Sequence, residues 1–215
     1  MALIEDRTGP VVKAENLNAG LNSEIAARIH TAEATIFVKG LREEHPRVWT
    51  QAREADVNPH VRGIAPALLW RVQANGWDLL AFEDIPGRHA DYAPGSPDLP
   101  LVADVIGRLA TTAAPDTIAR TMPDRMKAHT STPELFAGDT LCHTDWFPTN
   151  VLITNRAVVV DWAWVSRGAA WIDPALWVVW LINSGHTPAQ AEQWASRIPA
   201  WNTAPTPGID AFARA

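Results

Sequence analysis

Alternating apolar and polar positions in the first third of the chain predict strands. Residues 23–30 alternate, residues 34–39 are β-branched and aromatic, and residues 31–33 are a short enough link for a hairpin between them. Residues 10–14 predict an earlier strand. Residues 67–72 and 78–82 predict two later ones, parted by a turn at Asn75-Gly76. Between these pairs, residues 46–57 have helical spacing, with Val48, Ala52 and Ala55 on one face.

The pattern then changes. Residues 86–100 hold four Pro and two Gly, the chemistry of a loop or linker, and place a boundary there. Residues 1–85 read as a β-rich lobe with one helix, and residues 86–215 as a larger, mainly helical lobe carrying short strands. In the second lobe, residues 101–114 are helical by the spacing of Val102, Val105, Ile106 and Leu109, and residues 115–139 read as helix or loop. Residues 140–142, 151–153 and 157–160 are short strands. Asp173-Pro174 reads as a helix opening, with Asp at the N-cap and Pro at the first helical position; that helix stops at Ser184-Gly185. Thr187 and Gln190 make a capping box for a last helix through Arg197. The class predicted is α+β.

Composition narrows the function. With 47% hydrophobic and 20% charged residues, the 215-residue chain is expected to bury a core, not to be disordered. The net charge of −6 gives no support for nucleic-acid binding. One cysteine excludes an intrachain disulfide and a cysteine-based zinc cluster. The start lacks a basic-then-apolar leader, and the longest apolar run, residues 175–182, is too short for a bilayer. The expectation is a soluble cytoplasmic protein whose partner is a small molecule, with no nucleic acid and no membrane. Only Lys13, Lys39 and Lys127 are lysines, and eight of the 11 tryptophans lie at or beyond Trp146.

The densest polar cluster is His143-Thr-Asp145-Trp-Phe-Pro-Thr-Asn150, set between two apolar strands. Downstream, residues 151–153 and 157–160 form a hairpin by pattern, which brings Asn150 beside Val160 or Asp161. Cross-strand neighbours lie about 5 Å apart, so an amide oxygen and a carboxylate meet at one end of the hairpin, with Asp145 a short loop away. Such hard oxygen donors suit Mg²⁺ shared with substrate phosphates. Either residue alone is explained by strand-end capping; the set at this spacing favours a metal site. Cys142 points to the opposite face from His143 and is expected in the core.

His143-x-Asp145-x-x-x-x-Asn150 followed by two apolar residues and Asp161-Trp162 resembles the catalytic and metal-binding loops of the aminoglycoside phosphotransferase family, part of the protein-kinase-like superfamily. Asp173-Pro-Ala175 resembles the structural Asp element that follows them. The resemblance implies a protein-kinase-like two-lobed fold, with a small antiparallel sheet in the first lobe and a C-terminally short second lobe. It makes Asp145 the catalytic residue and Asn150 and Asp161 the Mg²⁺ ligands, with ATP or GTP as co-substrate. Lys39 resembles the strand lysine that contacts nucleotide phosphates, Glu54 the helix glutamate that pairs with it, and Glu83 to Ile85 the hinge that meets the purine. The phosphate loop falls near residues 18–23, where Ser23 or its neighbours reach a phosphate despite the lack of a glycine-rich motif. Thr144 stands where the family has Gly, and Ala163 where an acidic residue or Gly is commoner. The implied activity is transfer of a γ-phosphate to a hydroxyl of a small molecule, an aminoglycoside or related antibiotic. Two other readings stay open. One is a metal-dependent hydrolase with His143, Asp145 and Asp161 as ligands, and the other a kinase-like nucleotide-binding module without turnover.

Overall fold

The computed structural model describes residues 1–17 and 23–215 of the chain. The predicted amino-terminal strands form β1 (Val11–Asn16), β2 (Ile25–Thr31), β3 (Thr35–Arg42), β4 (Leu68–Ala74) and β5 (Trp77–Glu83). They make one antiparallel sheet in the order β1-β2-β3-β5-β4. The 31–33 link closes the β2–β3 hairpin through Thr31 N–H and Ala34 O at 2.9 Å. The register sets Lys39 between Ala26 on β2 and Leu80 on β5. One apolar cluster joins Ile29, Ile36, Val38, Leu79 and Ala81 to Ile4 of α1 (Ala2–Thr8). Seven residues with one buried position show no period, so α1 is invisible in the pattern.

The helix expected over residues 46–57 is α2 (Trp49–Val57), but its buried face differs from the one the spacing suggested. Val48, Ala52 and Ala55 are only half-buried, whereas Thr50, Gln51, Glu54 and Val57 are buried. The inward face is polar because it is held by hydrogen bonds: Gln51 Nε2 donates to Asp78 O of β5 at 3.1 Å. Beyond the helix, Asn58 bridges Pro66 O and Leu68 N–H at 2.8 and 2.9 Å.

The chain divides into two compact units, Met1–Arg62 with Pro66–Pro86, and Gly63–Ala65 with Gly87–Ala215. The second holds β6 (Arg88–His89), α3 (Leu99–Leu109), α4 (Met122–Met126), β7 (Thr140–Cys142), β8 (Val151–Ile153), β9 (Ala157–Val159) and β10 (Ser166–Gly168). It continues with α5 (Ile172–Asn183), α6 (Pro188–Ala195), α7 (Pro199–Asn202) and α8 (Thr206–Arg214). Strands β6, β8 and β9 form one small sheet, and β7 pairs with β10. Phe136, Cys142, Trp171, Ile172 and Ala175 form a core against which Trp201 and Phe212 pack. Burial raises the Cys142 thiol well above its ordinary value, as fits a core residue. The capping box at α6 is present as expected, with Thr187 and Gln190 bonded both ways. Among the described residues no helix is long and apolar enough to cross a membrane.

The Pro/Gly-rich stretch is tied down at its start. A Cβ at Gly87 would come within 2.9 Å of Ile153 O, so the chain enters β6 against β8 only as glycine. Arg88 then donates to both oxygens of buried Asp98 at 2.5 and 2.6 Å, and Asp91 N–H adds a third bond at 2.9 Å. The Arg88 guanidinium and the Asp91 amide hold the Asp98 carboxyl below its usual range against the effect of burial. A depressed folded pKa stabilises the fold above the unfolded value, near pH 4, and that contribution is lost as pH falls through the folded value. Arg88→Met is therefore expected to melt below wild type at pH 7, with the gap narrowing towards pH 3 in thermal scans by circular dichroism.

Candidate active site

In the first unit, β3 lifts Lys39 towards α2, where Nζ pairs with Glu54 Oε2. Both are buried, at 8% and 3% exposure, while Glu43 and Glu44 are exposed and so lie off this pair. A buried ammonium fixed by one carboxylate has lost its rotamer freedom before any ligand arrives. Ser23 is half-buried, directly before Glu24, whose N–H donates to Gly40 O at 3.0 Å. The other residues expected at the phosphate loop, 18–22, lie outside the described residues. Glu83 closes β5 with its N–H on Ala67 O at 2.9 Å. Asp84 takes Arg28 Nε at 2.8 Å, and Ile85 follows, half-buried.

In the second unit, the polar cluster is the loop between β7 and β8. His143 is fully buried, edge-on to Trp162 at 4.7 Å and beside Trp146 at 5.6 Å. Its Nδ1 accepts Asp145 N–H at 3.3 Å, which places the ring proton on Nε2 for donation to Val160 O at 3.0 Å. The ring thus joins the loop to the end of β9. Asp145 is half-buried. Asn150 Nδ2 donates to Asp145 O at 3.2 Å, so the amide oxygen is the end left for a ligand.

The hairpin has the register that places the remaining carboxylate. Val151 pairs with Val159, and Val160 N–H donates to Asn150 O at 2.9 Å, so Asp161 follows the residue opposite Asn150. Asp161 takes a left-handed backbone, φ 63° and ψ 67°, before the 3₁₀ turn Trp162–Trp164. Asp tolerates this region better than most residues. The register brings an amide oxygen and a carboxylate to one end of the hairpin, hard donors of the kind Mg²⁺ takes. Among the described residues, no three His, Cys, Asp or Glu side chains gather in a set that could hold a metal.

Asp173 anchors the loop. The helix α5 begins two residues earlier than the sequence suggested, with Trp171 at its N-cap, so Asp173 lies inside the first turn and is not the cap. Its carboxylate turns instead to the loop, accepting His143 N–H at 2.8 Å and Thr144 N–H at 2.9 Å. Burial pushes this carboxyl up, while the Trp146 side chain, ahead of His143 and the two backbone donors, pulls it back. Thr144, where the sequence resemblance expects glycine, is left-handed with φ 69°. For a β-branched residue that conformation costs about 1–3 kcal/mol and persists only where neighbours impose it. Here Thr144 Oγ1 donates to Trp164 O at 2.9 Å and accepts from Arg125 Nη1 at 2.5 Å. Arg125 comes from the weakly patterned segment 115–139, and nothing in the sequence marked it except the missing glycine at 144.

No family model matches the sequence, and no curated protein matches it. Solved structures do. LicA, a choline kinase from Streptococcus pneumoniae, seen with AMP, superposes with a TM-score of 0.71 at 13% identity, over 98% of this chain and 84% of that one. A thermostable mutant of aminoglycoside phosphotransferase APH(4)-Ia, in a ternary complex with ADP and hygromycin B, gives 0.63 at 14% identity, over 99% and 93%. Aminoglycoside-3'-phosphotransferase of type VIII gives 0.64 at 16% identity, over 94% and 92%. The chain has the protein-kinase-like fold. At these identities the fold is what the chains share. Within this kinase-like fold, the hydrolase reading would require His143 as a metal ligand, yet both of its ring nitrogens are already bonded, Nδ1 within the loop and Nε2 to Val160 O.

Proposed function

We propose that the chain transfers the γ-phosphoryl group of ATP or GTP to a hydroxyl of a small molecule, with the aminoglycosides and related antibiotics as the first acceptors to try. The observation that supports this most is the loop bonded at both ends: Asp145 N–H rests on His143, and Asp145 O on Asn150. That arrangement fixes the backbone on both sides of the one carboxylate in the loop and leaves its side chain for the acceptor.

Phosphoryl transfer asks a protein for positioning and charge neutralisation more than for covalent help. Asp145 orients the acceptor hydroxyl and takes its proton as the acceptor oxygen bonds to phosphorus and the bond from phosphorus to the nucleoside diphosphate breaks. Asn150 and Asp161 would hold Mg²⁺, which when bound neutralises phosphate charge. Lys39, steadied by Glu54, adds a further positive charge for the phosphates. With Glu83 N–H committed to the strand, the backbone at Ile85 is the hinge group left for a purine edge. Ser23 flanks the phosphate loop. A cytoplasmic site of action, where ATP and GTP are kept, fits this chemistry.

The test is ADP and GDP formation in the presence of Mg²⁺ across hygromycin B, other hydroxylated antibiotics, choline and small amino alcohols. Stoichiometric nucleoside diphosphate and phosphorylated product support the reading. Nucleotide bound tightly with no diphosphate formed from any acceptor sinks it in favour of a binding module. Lys39 is tested with its partner, because removing one member of a buried pair strands the other charge. The double variant Lys39→Met, Glu54→Gln is expected to lower kcat/KM for nucleotide by roughly 10²-fold, on the scale of a lost transition-state charge contact, in a continuous diphosphate-release assay.

A further inference from the structure

We propose that Arg125 is a positioning residue for this transfer, acting through Thr144 to hold the backbone that presents Asp145. The inference rests on the phosphotransfer reading for its kinetic arm only. Arg125 Nη1 reaches three acceptors, all uncharged: Thr144 Oγ1 at 2.5 Å, Trp164 O at 3.1 Å and Ser166 Oγ at 3.2 Å. Trp164 O also receives Thr144 Oγ1 at 2.9 Å and Ser166 Oγ at 3.3 Å. Arg120 lies over the Trp164 ring at 5.1 Å, so the segment around α4 grips that residue by both ring and carbonyl. The guanidinium therefore links position 144, next to Asp145, with position 164, three residues past Asp161.

The backbone explains why such a clasp is needed. A glycine at 144 adopts the left-handed conformation without steric cost; threonine does not. Thr144 N–H already belongs to Asp173, which fixes one side of the peptide, and its side chain must be held as well if φ is to stay at 69°. Arg125 and Trp164 O hold it from opposite ends of one hydroxyl. The substitution that departs from the glycine pattern and the arginine that answers it form a single device.

Arg125→Met, which keeps the length of the side chain and removes its donors, is expected to lower kcat by about 10–100-fold with nucleotide KM within about twofold, the signature of a displaced reacting group. Adding Thr144→Gly in the same chain is expected to regain about tenfold of that loss, because glycine needs no clasp. Arg125→Lys, with one donor head in place of the fork, should fall between Arg125→Met and wild type. Melting curves identify any variant that fails to fold. A merely structural Arg125 predicts a double variant as slow as Arg125→Met, and that result overturns the proposal. Independently of turnover, amide exchange at Thr144 and Asp145 should quicken in Arg125→Met; unchanged exchange overturns it too. If wild type turns over no acceptor, the phosphotransfer reading has failed and exchange alone decides the clasp.

Discussion

Asp145→Asn is expected to lower kcat by about 10²–10⁴-fold, the contribution of a positioned proton acceptor, while nucleotide affinity stays near wild type. The substitution isolates basicity from architecture. Both hydrogen bonds that fix this residue use its backbone, the N–H to His143 Nδ1 and the carbonyl from Asn150 Nδ2, so the amide side chain inherits the same placement. On the proposed reading, only the capacity to take a proton from the acceptor hydroxyl is lost. Steady-state diphosphate release beside calorimetric nucleotide titration separates the two effects. A kcat within threefold of wild type would remove Asp145 from the chemistry, and lost nucleotide binding would mean that the loop itself had moved.

The second large effect is expected at Asp173→Asn. Each carboxylate oxygen receives one backbone N–H of the loop, so an amide there turns one acceptor into a donor facing a donor. An unmet buried N–H costs about 1–3 kcal/mol, more where its partner was charged. Relief from burying a carboxylate, whose protonated form burial already favours, works the other way and offsets part of this. The net expectation is about 2 kcal/mol, or roughly 4–8 °C in Tm for a chain of this size. Turnover should fall with it, since one of His143 and Thr144 loses its anchor. A Tm within 2 °C of wild type with full activity would mean that the loop holds its shape without Asp173.

What could be read ahead of the structure follows from the range of the interactions involved. The sheet strands were legible because alternation is local, and the Asn150–Val160 pairing because a short loop leaves few registers. The face of α2 differs from the one the spacing suggested because three of its four buried positions are polar, and two of these, Gln51 and Glu54, meet partners on β5 and β3 that spacing does not show. Asp173 looked like a helix cap because Asp before Pro usually is one; its carboxylate instead serves amides 29 and 30 residues away in sequence. β10, at three residues, is too short to show a period, α8 lies past the helix read as the last, and Arg125 works through a hydroxyl and a carbonyl that no motif records.

The assignment of Gly63–Ala65 to the second unit has a practical consequence for dissecting the chain. Gly63, left-handed at φ 75°, offers its carbonyl to both Arg108 and Arg156, and Ile64 O takes Val159 N–H of β9 at 2.9 Å. A cut at residue 86 would thus strip the second unit of an edge acceptor on the strand leading to Asp161. The two halves are not two stretches of gene. An exchange of halves between relatives must carry residues 63–65 along with everything after 86, or the hairpin bearing Asn150 and Asp161 loses its outer support.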